Sequence, residues 1–479
     1  MCVFGANNNL ITTMGSMQFQ NIIQGKFEGE LYPIHPKLEN VQGYKAYKSV
    51  LDLPKVPDLA FIILPPKIVP KVMEECGQKG IKYLIITSGG FREIGTEGIE
   101  LSTQIDEIAK KFGMRFIGPN CLGVYNGWYG APKENTHLNT MWITETPERG
   151  KVSIASQSGT IACHAVWHAK RIGLKIGKSI SNGNENNIDL VDILEYYKDD
   201  PQTDVIGLYI EEIKRGKDFI KVVKQITPKK PIVAIYAGGS DAAARSINSH
   251  TGSIGGNQKI FDAVFKETGI ISTDSIVDFL YYLRTFSWAQ KTGIYPKGNK
   301  VGVITNSGGA GAMMTKALET YDLIVPEFSK ELQDRLHETL PYTASASNPI
   351  DVTFDTDFTN LMIKYPIKLV KSKEVDSILV YAIFDFGELM DFIDQLGYLK
   401  DDNLKNINST IDSFLMKPLT KLIKKLGVPI FYLGPQPYEK FINQKFLSYD
   451  LPIFDFWDAP TKCLSVLVQY IEFRNSIPD

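Results

Sequence analysis

The sequence carries little that would mark it for a membrane, a nucleic acid or a structural metal. No apolar run approaches the roughly 20 residues that span a bilayer. The chain opens directly on a strand-like run, Met1–Phe4, with no leader pattern ahead of it, so a cytoplasmic protein is expected. Its 52 Lys and Arg stand against 54 Asp and Glu, which leaves no broad basic face for a nucleic acid or an anionic membrane. The five cysteines (Cys2, Cys76, Cys121, Cys163 and Cys463) are scattered, with no close pair of the kind that a disulfide or a zinc knuckle needs. No G-x-G-x-x-G follows a strand, and no acidic residue stands where a ribose hydroxyl would need one, which disfavours a nicotinamide oxidoreductase. There is no low-complexity segment and no short-period repeat. At 479 residues the chain is too long for one core.

What the sequence does have is alternation. Short β-rich runs, Ala60–Leu64 and Tyr83–Thr87, bracket a helical pattern over Val69–Lys79, and Leu101–Phe112 reads as the next helix. A second series holds strands at Lys151–Ala155, Val205–Ile210 and Ile232–Tyr236, with helices at Gly159–Ile172, Leu190–Tyr197 and Phe219–Ile226. A third begins at Val301–Thr305, continues with a helix near Ala312–Glu319, and has strands at Ser377–Ile383 and Pro429–Leu433. The pattern predicts three α/β domains of parallel strands in tandem, over residues 1–143, 144–294 and 295–479. Polar, Pro- and Gly-broken stretches at Thr144–Gly150 and Lys291–Lys300 suggest the boundaries. The strand–glycine turn–helix opening shared by the three series suggests a distant echo among them. The long stretch Phe386–Asn408 fits none of these patterns.

Ligands of such sheets bind beyond the carboxyl ends of the strands, so the loops there are the candidates. In the first series these are Gly5-Ala6-Asn7-Asn8-Asn9 with Gly15-Ser16, the turn around Pro33 and Lys37, and Pro65 after the second run. Thr87-Ser88-Gly89-Gly90 and Gly118-Pro119-Asn120-Cys121 complete that set. Small residues admit a phosphate to backbone amides, although each loop alone reads equally well as a tight turn. Cys121 has no basic neighbour in sequence, so packing suits it better than reactivity. Ser156-Gln157-Ser158-Gly159 sits between a strand and a helix, a stronger anion site. His164 and His168 share a helix face, but without the glutamate of a zinc helix they are assigned to packing. In Ser249-His250-Thr251-Gly252 a lone imidazole stands among small residues, suited either to covalent attack or to a satisfied loop position. Glu211 and Glu212 follow a strand, where a carboxylate could fix the tautomer of a histidine.

Taken in order, these stretches resemble the α subunit of the ADP-forming acyl-CoA synthetases, a family that includes acetyl-CoA synthetases and is related to succinyl-CoA synthetase. The resemblance rests on YPIHPK at 32–37, ITSGGFREIGTEG at 86–98, GPNCLG at 118–123, SQSG at 156–159 and SNGNE at 181–185. It continues through YIEEIKRGKDF at 209–219, SHTG at 249–252, TNSGG at 305–309 and NPID at 348–351. The resemblance implies a Rossmann-like coenzyme A domain followed by two flavodoxin-like ligase domains. It makes His250 the phosphorylated histidine and Glu211 (less so Glu212) the carboxylate that orients it. Coenzyme A contacts fall to Gly5, Asn7, Asn8, Gly15, Ser16, Pro33, Lys37, Pro65, Ser88, Gly89, Asn120 and Cys121. Phosphate and acyl contacts fall to Ser156, Gln157, Ser158, Gly159 and Asn184.

The family also implies a partner. Nothing in the sequence resembles an ATP-grasp module, so ADP or ATP and Mg²⁺ are expected on a separate β subunit in an α2β2 assembly, with acyl-CoA, coenzyme A and phosphate as small-molecule partners. No metal site is expected on this chain, and no acetyltransferase domain is appended. Two departures stand out. The family often has basic residues before the SHTG loop, where this chain has Tyr236-Ala237-Gly238-Gly239 and keeps only Arg245. His35 stands where asparagine is common. The competing reading is a coenzyme A- or acyl-CoA-binding regulatory protein that has lost phosphoryl transfer.

Overall fold

A computed structural model describes all residues except 12, 132, 134, 143–144, 240–256, 354, 356, 358, 382–394, 398–408, 410 and 478–479. The whole SHTG loop with His250, Arg245 and nearly all of the 386–408 stretch therefore lie outside the described residues. By contact density the chain divides into two compact units. One comprises residues 1–170 and 174–283, the other residues 171–173 and 284–479.

The first unit holds two sheets. Strands β1 (Cys2–Phe4), β2 (Tyr32–Ile34), β5 (Leu59–Ile62), β6 (Tyr83–Ile86) and β7 (Arg115–Ile117) form a parallel sheet in the order β2-β1-β5-β6-β7, with a short hairpin, β3 (Asn40–Val41) and β4 (Tyr44–Lys45), beside it. Alternate residues serve opposite faces: Cys2, Phe4, Ala60 and Ile62 enter one apolar cluster, Val3 and Phe61 the other. Burial on both faces explains why these strands read as short unbroken apolar runs. Three helices cover the sheet: α1 (Met14–Gln24), α2 (Val69–Lys79) and α3 (Thr96–Phe112). Glycines in the left-handed region end two of them, Gly80 after α2 and Gly113 after α3. The helix α3 starts five residues before the sequence pattern suggested, because its polar first turn, TEG, reads as loop.

The second sheet runs β14-β13-β12-β10-β11-β8-β9. Its parallel part is β10 (Val152–Ser156), β11 (Ile176–Ser181), β12 (Val205–Ile210), β13 (Ile232–Tyr236) and β14 (Ile271–Ser272). Strands β8 (Val124–Asn126) and β9 (Leu138–Asn139) extend it, β8 antiparallel to β11 and β9 antiparallel to β8. The chain thus joins the second sheet well before the polar stretch at 144–150, which the sequence pattern had suggested as the boundary. Helices α4 (Gly159–Arg171), α5 (Leu190–Asp199) and α6 (Gly216–Ile226) pack on it, and α5 is started by a capping box in which Asp189 accepts from Val191 and Asp192.

The second unit has one parallel sheet, β16-β15-β17-β18-β19, built from β15 (Val301–Thr305), β16 (Ile350–Asp351), β17 (Ser377–Tyr381), β18 (Ile430–Leu433) and β19 (Ile453–Phe454). A helix over Gly308–Thr320 follows β15, capped by Ser307; it starts four residues before the expected Ala312 because its first turn is glycine-rich. Asn348 of the NPID motif is structural, accepting from the Val303 amide at 2.9 Å and donating to the Val301 carbonyl at 2.9 Å.

Reduced to parallel strands in chain order, all three sheets share the sequence 2-1-3-4-5. The echo among the three openings is therefore real at the level of topology. Each sheet has its switch point between its first and third parallel strands, and a glycine turn leads into a helix there. At the first such turn Gly5 has φ +90° and faces the Ile63 carbonyl so closely that a Cβ would lie 1.9 Å from its oxygen. We expect Gly5→Ala to destabilise the first unit by about 2–3 kcal/mol. Differential scanning calorimetry checks this as a lowered Tm of that transition with the other unit's transition unmoved.

Candidate functional site

The first-sheet candidates gather at one sheet edge, but several are engaged with each other. The Ser16 hydroxyl is buried, accepts from the Asn7 amide at 3.0 Å and pairs with the Thr13 hydroxyl at 2.8 Å. Asn8 is tied to the hairpin, accepting from Gln42 at 2.6 Å and donating to the Asn40 carbonyl at 3.0 Å. A Cβ on Gly15 would lie 2.7 Å from the Gly5 carbonyl oxygen, so that glycine lets helix and loop touch. Pro33 is a buried residue of β2, while Lys37 and Pro65 are exposed. His35, at the departure from the family, accepts from the amides of Lys37 and Leu38 at 3.2 and 3.0 Å and stiffens that turn. Ser88 is buried and accepts from the Leu64 amide at 3.0 Å, binding two loops together, and Gly89 is exposed beside Asn120. Cys121 is buried, its thiol donating to the Ile86 carbonyl at 3.3 Å, and burial pushes its pKa up to about 12. It is a packing residue.

At the second sheet's switch point the arrangement is tighter. Ser156 is fully buried and its hydroxyl donates to the Ser158 carbonyl at 2.6 Å, which closes the SQSG turn. Ser158 and Gly159 are half-buried at the start of α4, where first-turn amides have no intrahelical acceptor and the helix dipole favours an anion. A Cβ on Gly159 would meet Leu122 at 2.6 Å, so the glycine permits that close approach. The side chain of Gln157, a residue expected at the phosphate site, is engaged with backbone. Its side-chain oxygen accepts from the amides of Glu211 (2.5 Å) and Glu212 (3.0 Å), and its Nε2 donates to the Glu212 carbonyl at 2.8 Å. A buried glutamine thus clamps the end of β12 to the end of β10 and holds the backbone of Glu211, itself buried, beside the turn. Glu212 pairs at 3.5 Å with Arg92 from the first sheet's loop.

Asn184, expected at the same site, is engaged as well. Fully buried, it accepts from Asn120 at 3.2 Å and donates to Glu93 at 2.6 Å, so its amide links the loops of the two sheets. Lys214, exposed as a residue, turns its ammonium inward onto the carbonyls of Asn184 (2.8 Å) and Glu185 (2.7 Å); burial of that ammonium, then Arg92, lowers its pKa. Burial pushes the Glu185 carboxyl up to about 7, opposed by the Asn182 amide that donates to it at 2.9 Å. Asp106 is likewise pushed up to about 6 by burial. The reading of single residues missed Arg92, Glu93, Glu185 and Lys214. All four stood inside the quoted FREIG, SNGNE and EEIKRG runs, and charge in a glycine-rich loop was the available signal.

His164 and His168 do not pack into the core as expected. Both are exposed on α4, and His164 lines a cleft of about 500 Å³ with Met14, Met17, Leu122, Trp142 and Trp167. Among the described residues no group of His, Cys, Asp and Glu could hold a metal ion, and no helix is long and apolar enough to cross a membrane.

Glycine-rich strand-end loops on one sheet, joined by side-chain bonds to a helix-start turn with an adjoining buried carboxylate on the next, suit an anionic cofactor. Comparison agrees: residues 1–127 match the CoA binding domain family, and residues 149–286 match the succinyl-CoA ligase like flavodoxin domain. The α subunit of ADP-forming acetate–CoA ligase II from Pyrococcus furiosus is 38% identical over 354 residues, 74% of this chain and 74% of that one. The ADP-forming acetate–CoA ligase of Methanocaldococcus jannaschii is 40% identical over 329 residues, 69% of this chain but only 45% of that longer one. The solved structure of a dinucleotide-forming acetyl-coenzyme A synthetase 1 from Ca. Korarchaeum cryptofilum, in complex with phosphate and ADP, superposes with a TM-score of 0.79 at 26% identity, covering 99% of this chain and 96% of that one. The chain belongs to the ADP-forming acetate–CoA ligase family and is similar to its α subunits.

Two outcomes follow from the geometry. Gln157→Met strips the partners from two buried amides and a carbonyl, which costs about 2–4 kcal/mol and is read as a lowered Tm. All five cysteines are buried, so none is expected to react with iodoacetamide at pH 8 in the native protein, and all should react in denaturant, as mass spectrometry can count.

Proposed function

We propose that this chain is the α subunit of an ADP-forming acyl-CoA ligase, with acetate as the acid named in its relatives. The observation that carries the reading is the Gln157 clamp, which sets the Glu211 backbone beside the SQSG turn at the start of α4. Phosphate attacks the thioester carbonyl of acyl-CoA; the C–S bond breaks, giving acyl phosphate and coenzyme A, whose thiol takes the proton. The imidazole of His250 attacks the phosphorus of the acyl phosphate, and the carboxylate leaves. ADP then takes the phosphoryl group from phosphohistidine to give ATP. A carboxylate at Glu211 that accepts the imidazole N–H fixes the tautomer and stabilises the cationic ring. The α4 amides stabilise the phosphoryl oxygens, whose charge changes little along this path but must be held in place.

The nucleotide and Mg²⁺ are assigned to a partner β subunit of the ATP-grasp type, in an α2β2 assembly in the cytoplasm. Support comes from the α-subunit names of the relatives. The competing reading, a coenzyme A-binding regulator, has one observation in its favour. Where basic residues are common in the family, Tyr236 stacks on Phe261 with ring centroids 3.6 Å apart. Arg92 and Lys214, however, bring cations to Glu212 and to the SNGNE loop.

Incubation with the partner, Mg²⁺ and γ-labelled ATP should give acid-labile, base-stable label on the wild type and none on His250→Ala. Absence of label on the wild type, with a partner shown to bind both ATP and this chain, would leave the regulator reading.

A further inference from the structure

The cleft of about 500 Å³ beside α4 takes no part in the phosphoryl path. One wall is the start of α1, where Met14 and Met17 lie one turn apart. The other is a face of α4, with Thr160, His164 and Trp167 on successive turns. Leu122 and Trp142 also line it. The walls are tied together by buried bonds: Gln18 and Asn21 of α1 donate to the carbonyls of Leu122 (3.2 Å) and Met141 (2.8 Å). Yet Trp142 and Trp167 are 54% and 52% exposed, and Met14 is exposed beside them. Two indole rings and a thioether left in water around one preformed concavity mark a site for an apolar ligand.

The position of the cleft says which ligand. Thr160 directly follows the SQSG turn, and Leu122 lies against Gly159. Met14 directly follows Thr13, whose hydroxyl pairs with Ser16, and Ser16 in turn holds the amide of Asn7. The cleft thus lies between the candidate coenzyme A loop and the candidate phosphate turn, where an acyl thioester attacked by phosphate has to sit. We propose that this cleft receives the side group of the acid, and that the substrates are monocarboxylic acids with a bulky, aromatic apolar group. The inference rests on the ligase reading above. From Thr160 to Trp167 the α4 face runs about 10 Å, room for a ring that the methyl of acetate would leave unfilled. Indole faces and methionine sulfurs suit a flat ring through stacking, edge and sulfur–aromatic contacts. Among the described residues no lysine or arginine lines the cleft, whereas Glu145 does. The second carboxylate of a dicarboxylic acid would lose its hydration there with no cation to meet and a like charge beside it.

The first measurement is calorimetric binding of phenylacetyl-CoA and acetyl-CoA to this chain. The coenzyme A part is common to both, so the difference reports on the acyl group alone. Phenylacetyl-CoA should bind about tenfold tighter. Trp167→Ala, which removes one wall, and His164→Trp, which fills the cleft, should each bring the two affinities close together. Both positions are exposed on α4, so neither change disturbs the core. The second measurement adds the partner subunit, Mg²⁺, ATP and coenzyme A. There kcat/KM for phenylacetate should exceed that for acetate about tenfold, succinate should not be activated, and each substitution should lower the phenylacetate-to-acetate ratio about tenfold. Equal affinities for the two thioesters, a ratio that survives both substitutions, or activation of succinate as readily as phenylacetate overturns the proposal and leaves the ligase reading standing. So does a variant that sheds the partner subunit in sedimentation with its ratio unmoved, since the cleft is then a protein interface. A wild type that activates no acid overturns both.

Discussion

The candidate site depends on one side chain bridging two parallel strands. Where the second sheet reverses its order, β10 and β12 lie side by side and their chains leave in different directions. The amides of Glu211 and Glu212 would be left without partners in a buried place, at a cost of about 1–3 kcal/mol each. Gln157 accepts from both and donates to the Glu212 carbonyl, all from the turn that leads into α4. One amide group thus satisfies the backbone and registers the carboxylate against the helix N-terminus. Precision of that kind is what phosphoryl transfer needs, because little covalent work falls to the protein beyond placing charge.

Around that clamp the loops of the two sheets of the first unit are joined by polar contacts. Asn184 bonds Asn120 and Glu93, Arg92 pairs with Glu212, and Lys214 caps two carbonyls of the SNGNE loop. Such bonds are directional, and each partner left unpaired would be penalised, so they specify how the coenzyme A edge meets the anion turn more sharply than packing could. Three copies of the same strand order supply three switch points, and the chain has furnished them differently. Gly5 and Gly15 let backbone close tightly at the first; Ser156, Gln157 and Glu211 furnish the second with polar and charged groups.

Element types were legible from the sequence wherever a run was buried on both faces. β13 and β15 run over Ile232–Tyr236 and Val301–Thr305, the spans that their apolar runs mark out. Starts of helices were legible only where the first turn was apolar. Those over Thr96–Phe112 and Gly308–Thr320 begin in polar or glycine-rich turns that local pattern assigns to loops. Where the strand-end loops lie was legible too, since small residues mark the turns after buried strands. How their side chains are engaged was not: Gln157 and Asn184 look like free polar groups in a line of letters, yet each is held by a partner distant in sequence.

The sequence alone determined the class. Alternating runs impose parallel sheets, and the ordered motifs from YPIHPK to NPID impose the family, because both are local patterns that survive reading one residue at a time. The tertiary structure decided the division of labour. Asn184 meets Glu93 across 91 residues and Gln157 meets Glu211 across 54, and no periodicity encodes such distances. Whether a polar side chain binds a ligand or holds the frame depends on which unpaired backbone group the fold leaves within about 3 Å of it. Only the assembled sheets settle that.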